Sequence, residues 1–204
     1  MTRVLVEEDP IRASVASRVP VGDHERRAID AFLKYYDGLQ APLDQTSDVV
    51  HVTGSAIVVG EPGVLLLRHK RLGIWLQPGG HLDRGEAPVD AARREAQEET
   101  GLQLALVSPE LFHVDVHPGG RGHTHLDLRY LVTPVAGHDS TPRPPVDESQ
   151  EVEWFAPTAA VERADDEALR DLLRWIALIG IGQLSSQGLS PRAESVQQPV
   201  QRRP

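Results

Sequence analysis

Hydrophobic positions repeat with two different periods along the chain, and the change of period separates predicted helices from predicted strands. Apolar residues follow helical spacing over residues 23–38, from a capping Asp23 to Gly38, and again over residues 164–180. A third helix is predicted from about residue 87 to residue 100, closed by Gly101. Strand-like apolar runs bounded by glycine or proline occupy residues 49–60, 63–70, 73–78, 103–107, 110–116, 124–135 and 151–155. This order predicts an α/β fold, a mixed sheet packed between helices.

The same pattern divides the chain into four segments. Residues 1–47 are predicted to form an N-terminal helical extension, and residues 48–160 the domain that contains the sheet. Residues 161–182 would supply a C-terminal helix of that domain. Residues 183–204 are rich in Ser, Gln, Pro and Arg and show no period, so we expect a disordered tail.

Composition narrows the classes of function. The chain has 21 Lys and Arg against 30 Asp and Glu, a formal charge of −9, which argues against a nucleic-acid or anionic-membrane partner. It has no cysteine, so disulfides, thiolate metal sites and a cysteine nucleophile are excluded. No apolar run approaches the roughly 20 residues of a membrane span, and the opening MTRVLVEEDP lacks the apolar region of a signal peptide. A cytoplasmic protein is the expectation.

The predicted helix at residues 87–100 carries a cluster of acidic side chains. Glu95, Glu98 and Glu99 are three or four residues apart and therefore share one face of the helix. Their mutual repulsion exceeds what Arg94 can neutralise. A hard divalent cation such as Mg²⁺ or Mn²⁺ could balance it, because such ions prefer oxygen ligands and bridge carboxylates to phosphates. A solvated acidic face is the alternative for such a cluster.

The complete spacing favours the metal-binding interpretation. Residues 80–102 read GHLDRGEAPVDAARREAQEETGL, with fixed positions at Gly80, Glu86, Arg94, Glu95, Glu98, Glu99, Gly101 and the apolar Leu102. This segment resembles the Nudix box of the Nudix hydrolases, which cleave nucleoside diphosphates linked to another group. The preceding WLQPGG run is also similar to the family, whose fold the resemblance extends over residues 48–160 as an α/β/α sandwich. Ala96 stands where the family usually has Ile, Leu or Val.

The resemblance implies roles for individual residues. The cation ligands would be Glu95, Glu98, Glu99 and the backbone carbonyl of Gly79. Arg94 would orient Glu95 by a charge-assisted hydrogen bond. Glu86 and Gly80 would support the turn between the glycine-rich segment and the helix. The general base is left open between Glu98 and the later carboxylates Glu148, Glu151 and Glu153.

The resemblance also implies a reaction and a partner. Metal ions would neutralise the diphosphate and lower the pKa of a bound water, whose proton a glutamate accepts. The substrate would be a small-molecule phosphoanhydride, and we favour a nucleoside diphosphate linked to another moiety. Hydrolysis of (d)NTPs and a non-catalytic module that senses nucleotides are the alternatives. The apolar stripes of the first and last helices leave a homodimer open, beside packing on the domain itself.

Residues 112–132 predict a hairpin whose two faces differ in polarity. One face is apolar and comprises Phe112, Val114, Val116, Leu126, Leu128, Tyr130 and Val132. The other is polar and comprises His113, Asp115, His117, His123, His125, Asp127 and Arg129. Three interpretations stay open for the polar face. It is a solvated surface, a zinc site built on His123 and His125, or part of the substrate cleft, with substrate contacts from His125, Asp127, Arg129 and the nearby His81.

Overall fold

A mixed sheet with helices on both faces forms the body of the computed structural model, which describes residues 9–146 and 151–187. Its strands are β1 (Val50–Gly60), β2 (Gly63–Arg68), β3 (Trp75–Leu76), β4 (Gly79–His81), β5 (Leu104–Leu106), β6 (His113–Pro118), β7 (Thr124–Pro134) and β8 (Glu151–Phe155). Its helices are α1 (Pro10–Ala16), α2 (Asp23–Tyr36), α3 (Pro88–Thr100), α4 (Pro157–Arg163), α5 (Glu167–Ile179) and α6 (Ile181–Gln187). The predicted α/β class, a mixed sheet between helices, is confirmed.

Strands β1 and β7 form the centre of the sheet and run parallel, with Val50 opposite Thr124. The hydrogen-bonded path is β3-β2-β1-β7-β5. Strand β4 adds to β1, β6 to β7 and β8 to β2, in each case antiparallel. The predicted hairpin is therefore present as the β6–β7 pair, joined by a short 3₁₀ turn at Gly120–Gly122.

Two hydrophobic cores lie on opposite faces of this sheet, and β1 contributes to both. Ala56 and Val58 enter the core shared with α1, α2 and α3, whereas Ile57 and Val59 enter the core shared with α4, α5 and α6. Burial on both faces explains the continuous apolar run at residues 56–59 of this strand. Among the described residues, no helix is long and apolar enough to cross a membrane.

Helix α3 is fixed against the sheet by small side chains. Ala91, Ala92 and Ala96 are fully buried in the first core, which allows the helix to lie close to β1 and β7. Ala96, the position that departs from the family pattern, is thus part of this contact. Gly101 ends the helix in the left-handed region, with φ 70°, as its place after the periodic segment predicts.

Some boundaries differ from the sequence expectation. Asp23 is the first helical residue of α2, and Gly22 occupies the N-cap position that we expected Asp23 to fill. Phe112 packs in the second core rather than with Val114, because it precedes the start of β6 and its alternation. The segment from residue 183 is helical as far as 187, since Leu184 is buried against the second core. Residues 188–204 of the expected tail lie outside the described residues.

Candidate active site

The acidic face of α3 lies against the short strand β4. The backbone N–H of Gly79 donates a hydrogen bond of 2.9 Å to Glu99 Oε2. Glycine at position 80 leaves room for Glu95, because a Cβ atom there would lie 2.6 Å from the carboxyl carbon of Glu95 and would displace that side chain. The side chain of Glu98 is 53% exposed, whereas that of Glu95 is 20% exposed, so Glu98 is the more accessible of these two carboxylates.

Arg94 connects this acidic face to the turn before the helix. Its Nε and Nη2 atoms donate to the two carboxylate oxygens of Glu86 at 2.9 and 2.8 Å. Its Nη1 atom donates to Glu95 at 2.9 Å and to Glu98 at 3.1 Å. Nη2 also reaches the backbone carbonyl of His81 at 3.0 Å, so the guanidinium contacts both β4 and α3. The expected hydrogen bond between Arg94 and Glu95 is present.

The charges of these groups shift one another's protonation equilibria. The hydrogen bonds from Arg94, followed by a backbone hydrogen bond from Asp83, hold the pKa of Glu86 below its usual value. The hydrogen bond to Glu86 is in turn the main reason why the pKa of Arg94 is raised. One guanidinium therefore lies within 4 Å of four carboxylates, those of Asp83, Glu86, Glu95 and Glu98. The uncompensated negative charge and the all-oxygen donor set suit a hard divalent cation.

The later carboxylates lie on or before strand β8. Glu151 is exposed and forms an ion pair of 2.9 Å with Arg68 of β2. Glu153 is also exposed and lies opposite Leu66 in the β2–β8 pairing. Glu148 falls outside the described residues. Neither Glu151 nor Glu153 belongs to the group of carboxylates that pair with Arg94.

A polar ladder crosses four neighbouring strands, in the order β4, β1, β7 and β6. Strand register places its members opposite one another in three rows, which are His51–His125–His117, His81–Thr53–Asp127–Asp115 and Ser55–Arg129–His113. The structure therefore contains the polar face of the predicted hairpin, and this face continues onto β1 and β4. Its members differ sharply in burial, however, and they separate into two groups.

The first group is a buried ion cluster around Arg129. Arg129 is 1% exposed and donates to Asp127 at 2.9 Å through Nε and to Asp115 at 2.7 Å through Nη2. Asp127 also accepts hydrogen bonds from the hydroxyls of Thr53 and Ser55. Burial opposes ionisation of Asp115, but the charge of Arg129 and the hydrogen bond from His117 together outweigh it and lower the pKa of that carboxyl.

This cluster corrects one of the interpretations that the sequence left open for the polar face. The face is not solvated at these positions, because His113, Asp115, Asp127 and Arg129 are all buried. Asp127 and Arg129 pair with each other, and Arg129 also pairs with Asp115, so the contact of these two residues with substrate stays a prediction. Alternation along a strand shows which residues share a face, but it does not show whether that face is covered.

The second group consists of histidines. Ring centroids lie 5.1 Å apart for His51 and His81, 5.2 Å for His51 and His125, and 5.1 Å for His81 and His125. The rings of His123 and His117 lie 5.1 Å from His51 and 5.4 Å from His125. Burial, followed by the charges of neighbouring histidines, lowers the pKa of His81 and lowers that of His125 to about 4. His81 and His125 keep partial exposure, and their contact with substrate stays a prediction.

Sequence reasoning missed His51, Thr53 and Ser55. All three lie on one face of β1, at alternate positions inside an apolar strand. That period-two polar pattern was the available signal. Its meaning depends on β1 pairing with β7, which places His51 opposite His125.

The chain is similar in sequence to several known proteins. The model of the NUDIX domain family matches residues 50–176. A Myxococcus xanthus protein named octanoyltransferase is 33% identical over 100 residues, which cover 47% of this chain and 27% of that protein. A probable DHNTP pyrophosphohydrolase of Lactococcus lactis subsp. cremoris is 32% identical over 89 residues, covering 41% of this chain and 54% of that protein. The chain thus spans about half or less of the length of these two relatives.

Two other known proteins are matched over a larger share of their own length. A MutT-like protein of Streptomyces ambofaciens is 32% identical over 130 residues, covering 61% of this chain and 77% of that protein. Among solved structures, a NUDIX-family hydrolase from Clostridium perfringens is similar, with 25% identity and a TM-score of 0.53. The similarity covers 64% of this chain and 98% of that one.

Proposed function

The chain belongs to the NUDIX family, and on this premise we propose that it is a hydrolase that depends on a divalent metal ion. Its substrate would be a nucleoside diphosphate linked to another moiety, cleaved at a phosphoanhydride bond. The observation that carries the proposal is the convergence of Glu95 and Glu98 on Arg94, beside the glycines of β4.

The donor set fits Mg²⁺, or Mn²⁺ in its place. Glu95, Glu98, Glu99 and the carbonyl of Gly79 would hold the ion, and all four are oxygen donors of the kind these ions prefer. The close approach of Gly80 to Glu95 and the hydrogen bond from Gly79 to Glu99 support this assignment, since they fix two of the carboxylates against β4. Such an ion supplies charge neutralisation at the diphosphate and a bound water of lowered pKa.

The protein's own residues would position and accept the reacting groups. Arg94 holds Glu95 and Glu98 in place by charge-assisted hydrogen bonds, and Glu86 fixes Arg94 in turn. Glu98 would accept a proton from the attacking water. The water oxygen forms a bond to phosphorus, the P–O bond of the anhydride breaks, and the leaving phosphate keeps that electron pair. Glu98 is favoured as the base because it lies on the same helix, α3, as the other proposed metal ligands Glu95 and Glu99, whereas Glu151 lies on β8.

The test is a substrate panel in ¹⁸O-labelled water with Mg²⁺, read by mass spectrometry. The panel holds nucleotide sugars, ADP-ribose, dinucleoside polyphosphates and, because of the relative named as a DHNTP pyrophosphohydrolase, (d)NTPs and pterin triphosphates. Label in one product phosphate identifies the substrate class and the phosphorus attacked. Cleavage of (d)NTPs alone would replace the proposed substrate class by the triphosphates.

A variant and its matched control test whether the Nudix box at residues 80–102 is catalytic. Glu98→Gln is expected to lower kcat by about 10²- to 10⁴-fold, the usual contribution of a general base. Glu162→Gln, an exposed glutamate of α4, is the control and should retain full activity. Failure of the folded, Mg²⁺-loaded protein to turn over any compound, together with measurable nucleotide binding, would overturn the hydrolase in favour of a nucleotide-sensing module.

A further inference from the structure

His51, His81 and His125 form a histidine triad where strands β4, β1 and β7 meet. Each residue offers one ring nitrogen, and these three nitrogens all lie within 4.8 Å of one another. The three residues come from distant parts of the sequence and are brought together by strand pairing. Hydrophobic packing does not account for three imidazole rings gathered at one point.

A backbone contact indicates which ring nitrogen of His51 is the hydrogen-bond donor. Its Nδ1 atom lies 3.1 Å from the carbonyl oxygen of Asp48, and since a carbonyl can only accept, Nδ1 carries the proton. In the neutral tautomer with its proton on Nδ1, Nε2 presents a lone pair. His51 is 0% exposed, and among the described residues its Nε2 has no hydrogen-bond partner. A ring anchored through one nitrogen, with the other bare, is the usual arrangement of a metal-bound histidine.

The other two members of the triad are also suited to bind a metal. Among the described residues, Nε2 of His81 is likewise buried without a hydrogen-bond partner. The ring of His125 lies 5.1 Å from that of His81 and 5.2 Å from that of His51, measured between ring centroids. Neutral imidazole is the form that coordinates metal ions.

From this geometry we infer that the histidine triad is a binding site for Zn²⁺ or a similar divalent ion that prefers imidazole. A Zn–N bond of about 2.0–2.1 Å in a tetrahedral site places nitrogens about 3.4 Å apart. Side-chain rotations that move the rings by about 1 Å would close the triad to that spacing. Three protein ligands leave a fourth position for water or for a further ring, and the ring of His123 lies 5.1 Å from that of His51.

This site is distinct from the carboxylates of α3. Along β1, His51 alternates with Val52, which packs in the core that holds α3, so the ring of His51 is on the opposite face of the strand. The two sites also differ in donor type, since carboxylates suit Mg²⁺ and imidazoles suit zinc and its neighbours. They share β4, where the carbonyl of His81 accepts from Arg94 and its ring joins the triad. The inference does not depend on the proposed hydrolase activity.

The test is a titration of the chelator-treated full chain with ZnCl₂ in excess Mg²⁺. Calorimetry measures the binding, and thermal unfolding with and without Zn²⁺ measures its effect on stability. Wild type is expected to bind one Zn²⁺ per chain and to unfold at a higher temperature with it. His81→Gln and His125→Gln should bind Zn²⁺ at least tenfold more weakly. These two half-buried positions carry the test, because loss of the fully buried ring of His51 threatens the fold itself.

Two controls separate the triad from the rest of the chain. His138→Gln changes an exposed histidine outside the cluster, and Glu98→Gln changes the carboxylate face; both should bind Zn²⁺ as wild type does. Circular dichroism confirms folding of each variant, and the visible spectrum of bound Co²⁺ reports imidazole ligation independently of affinity. Wild-type affinity in both triad variants, or loss of Zn²⁺ binding in Glu98→Gln, would overturn the inference.

Discussion

Arg94 and Glu86 form an ion pair with two hydrogen bonds, in which Nε and Nη2 of the guanidinium meet both carboxylate oxygens at 2.9 and 2.8 Å. The pair joins the turn that follows β4 to the middle of α3. Because two parallel hydrogen bonds fix the plane of the guanidinium, they also fix the direction in which Nη1 approaches Glu95 and Glu98. The orientation of the carboxylates thus depends on a residue that precedes their helix.

Replacing Arg94 by lysine keeps the charge but removes the planar group that makes these contacts. Lysine is a compact point charge that cannot bond two oxygens of Glu86 and still reach Glu95. We expect kcat to fall about 10- to 100-fold, as for other residues that orient metal ligands. Steady-state kinetics at saturating Mg²⁺ measures this. Arg93→Lys, on the exposed side of α3, is the matched control, and equal rates for the two variants would contradict the prediction.

Gly80→Ala tests the contact between β4 and Glu95. The new Cβ would lie 2.6–2.7 Å from the carboxyl atoms of Glu95, so that side chain has to move away from Arg94. We expect at least a tenfold loss of activity and a higher Mg²⁺ requirement, as a displaced metal ligand implies. Activity measured against Mg²⁺ concentration is the readout. Gly182→Ala, where the added Cβ meets nothing within 4 Å, should behave as wild type.

Stability is expected to decrease as the pH falls below about 6.5, partly through His113. Burial, followed by the charge of Arg129, holds the pKa of His113 well below its usual value, so the ring is neutral in the folded protein. The unfolded ring takes up a proton below about pH 6.5, so the unfolded state binds more protons and is favoured as the pH falls. The slope from this one group is at most about 1.4 kcal/mol per pH unit.

Urea unfolding of the metal-free protein between about pH 7 and pH 5 measures this slope. His113→Gln removes the titrating group and should flatten the dependence. His138→Gln, at an exposed position, should leave it unchanged. A steeper loss of stability in His113→Gln than in wild type would show that the sign is wrong.

Arg129→Met tests whether the buried ion cluster is structural. The substitution leaves Asp115 and Asp127 buried without their cation, and breaking such a buried pair costs about 3 to 5 kcal/mol. The free energy of unfolding in urea is the measurement. Arg143→Met breaks a surface pair with Asp139, whose side chains are 75% and 55% exposed, and should change it little. A small effect of Arg129→Met on the free energy of unfolding would contradict a structural role for the cluster.

The parts of the fold that local periodicity encodes were predictable. Helix α3 and its end at Gly101, and the antiparallel pairing of β6 with β7, follow from spacing within single segments. Helices α1 and α4, with seven residues each, are too short to show a repeat. The first of them nevertheless has a local signal, since Asp9 caps it through the amides of Ile11 and Arg12.

The residues of the site also divide into those that local spacing predicts and those that only the complete fold brings together. Glu95, Glu98 and Arg94 lie on one helix, so their proximity is a property of helical spacing. His51 joins His125 only because β1 and β7 pair, and Arg129 is buried only because other elements cover that face. Sequence reasoning identified the polar residues of the hairpin, but burial depends on the whole fold.

The parallel pairing of β1 with β7 also determines the order in which this domain can assemble. Val50 lies opposite Thr124, so the central pair of the sheet closes a loop of 74 residues. A nascent chain cannot complete that pair until β7 has been synthesised, and until then β1 has only its antiparallel neighbours on one edge. Contacts of such large sequence separation slow folding, because the entropy of loop closure is lost before the contacts form. We therefore expect the central sheet to form late, after the local hairpins and α3.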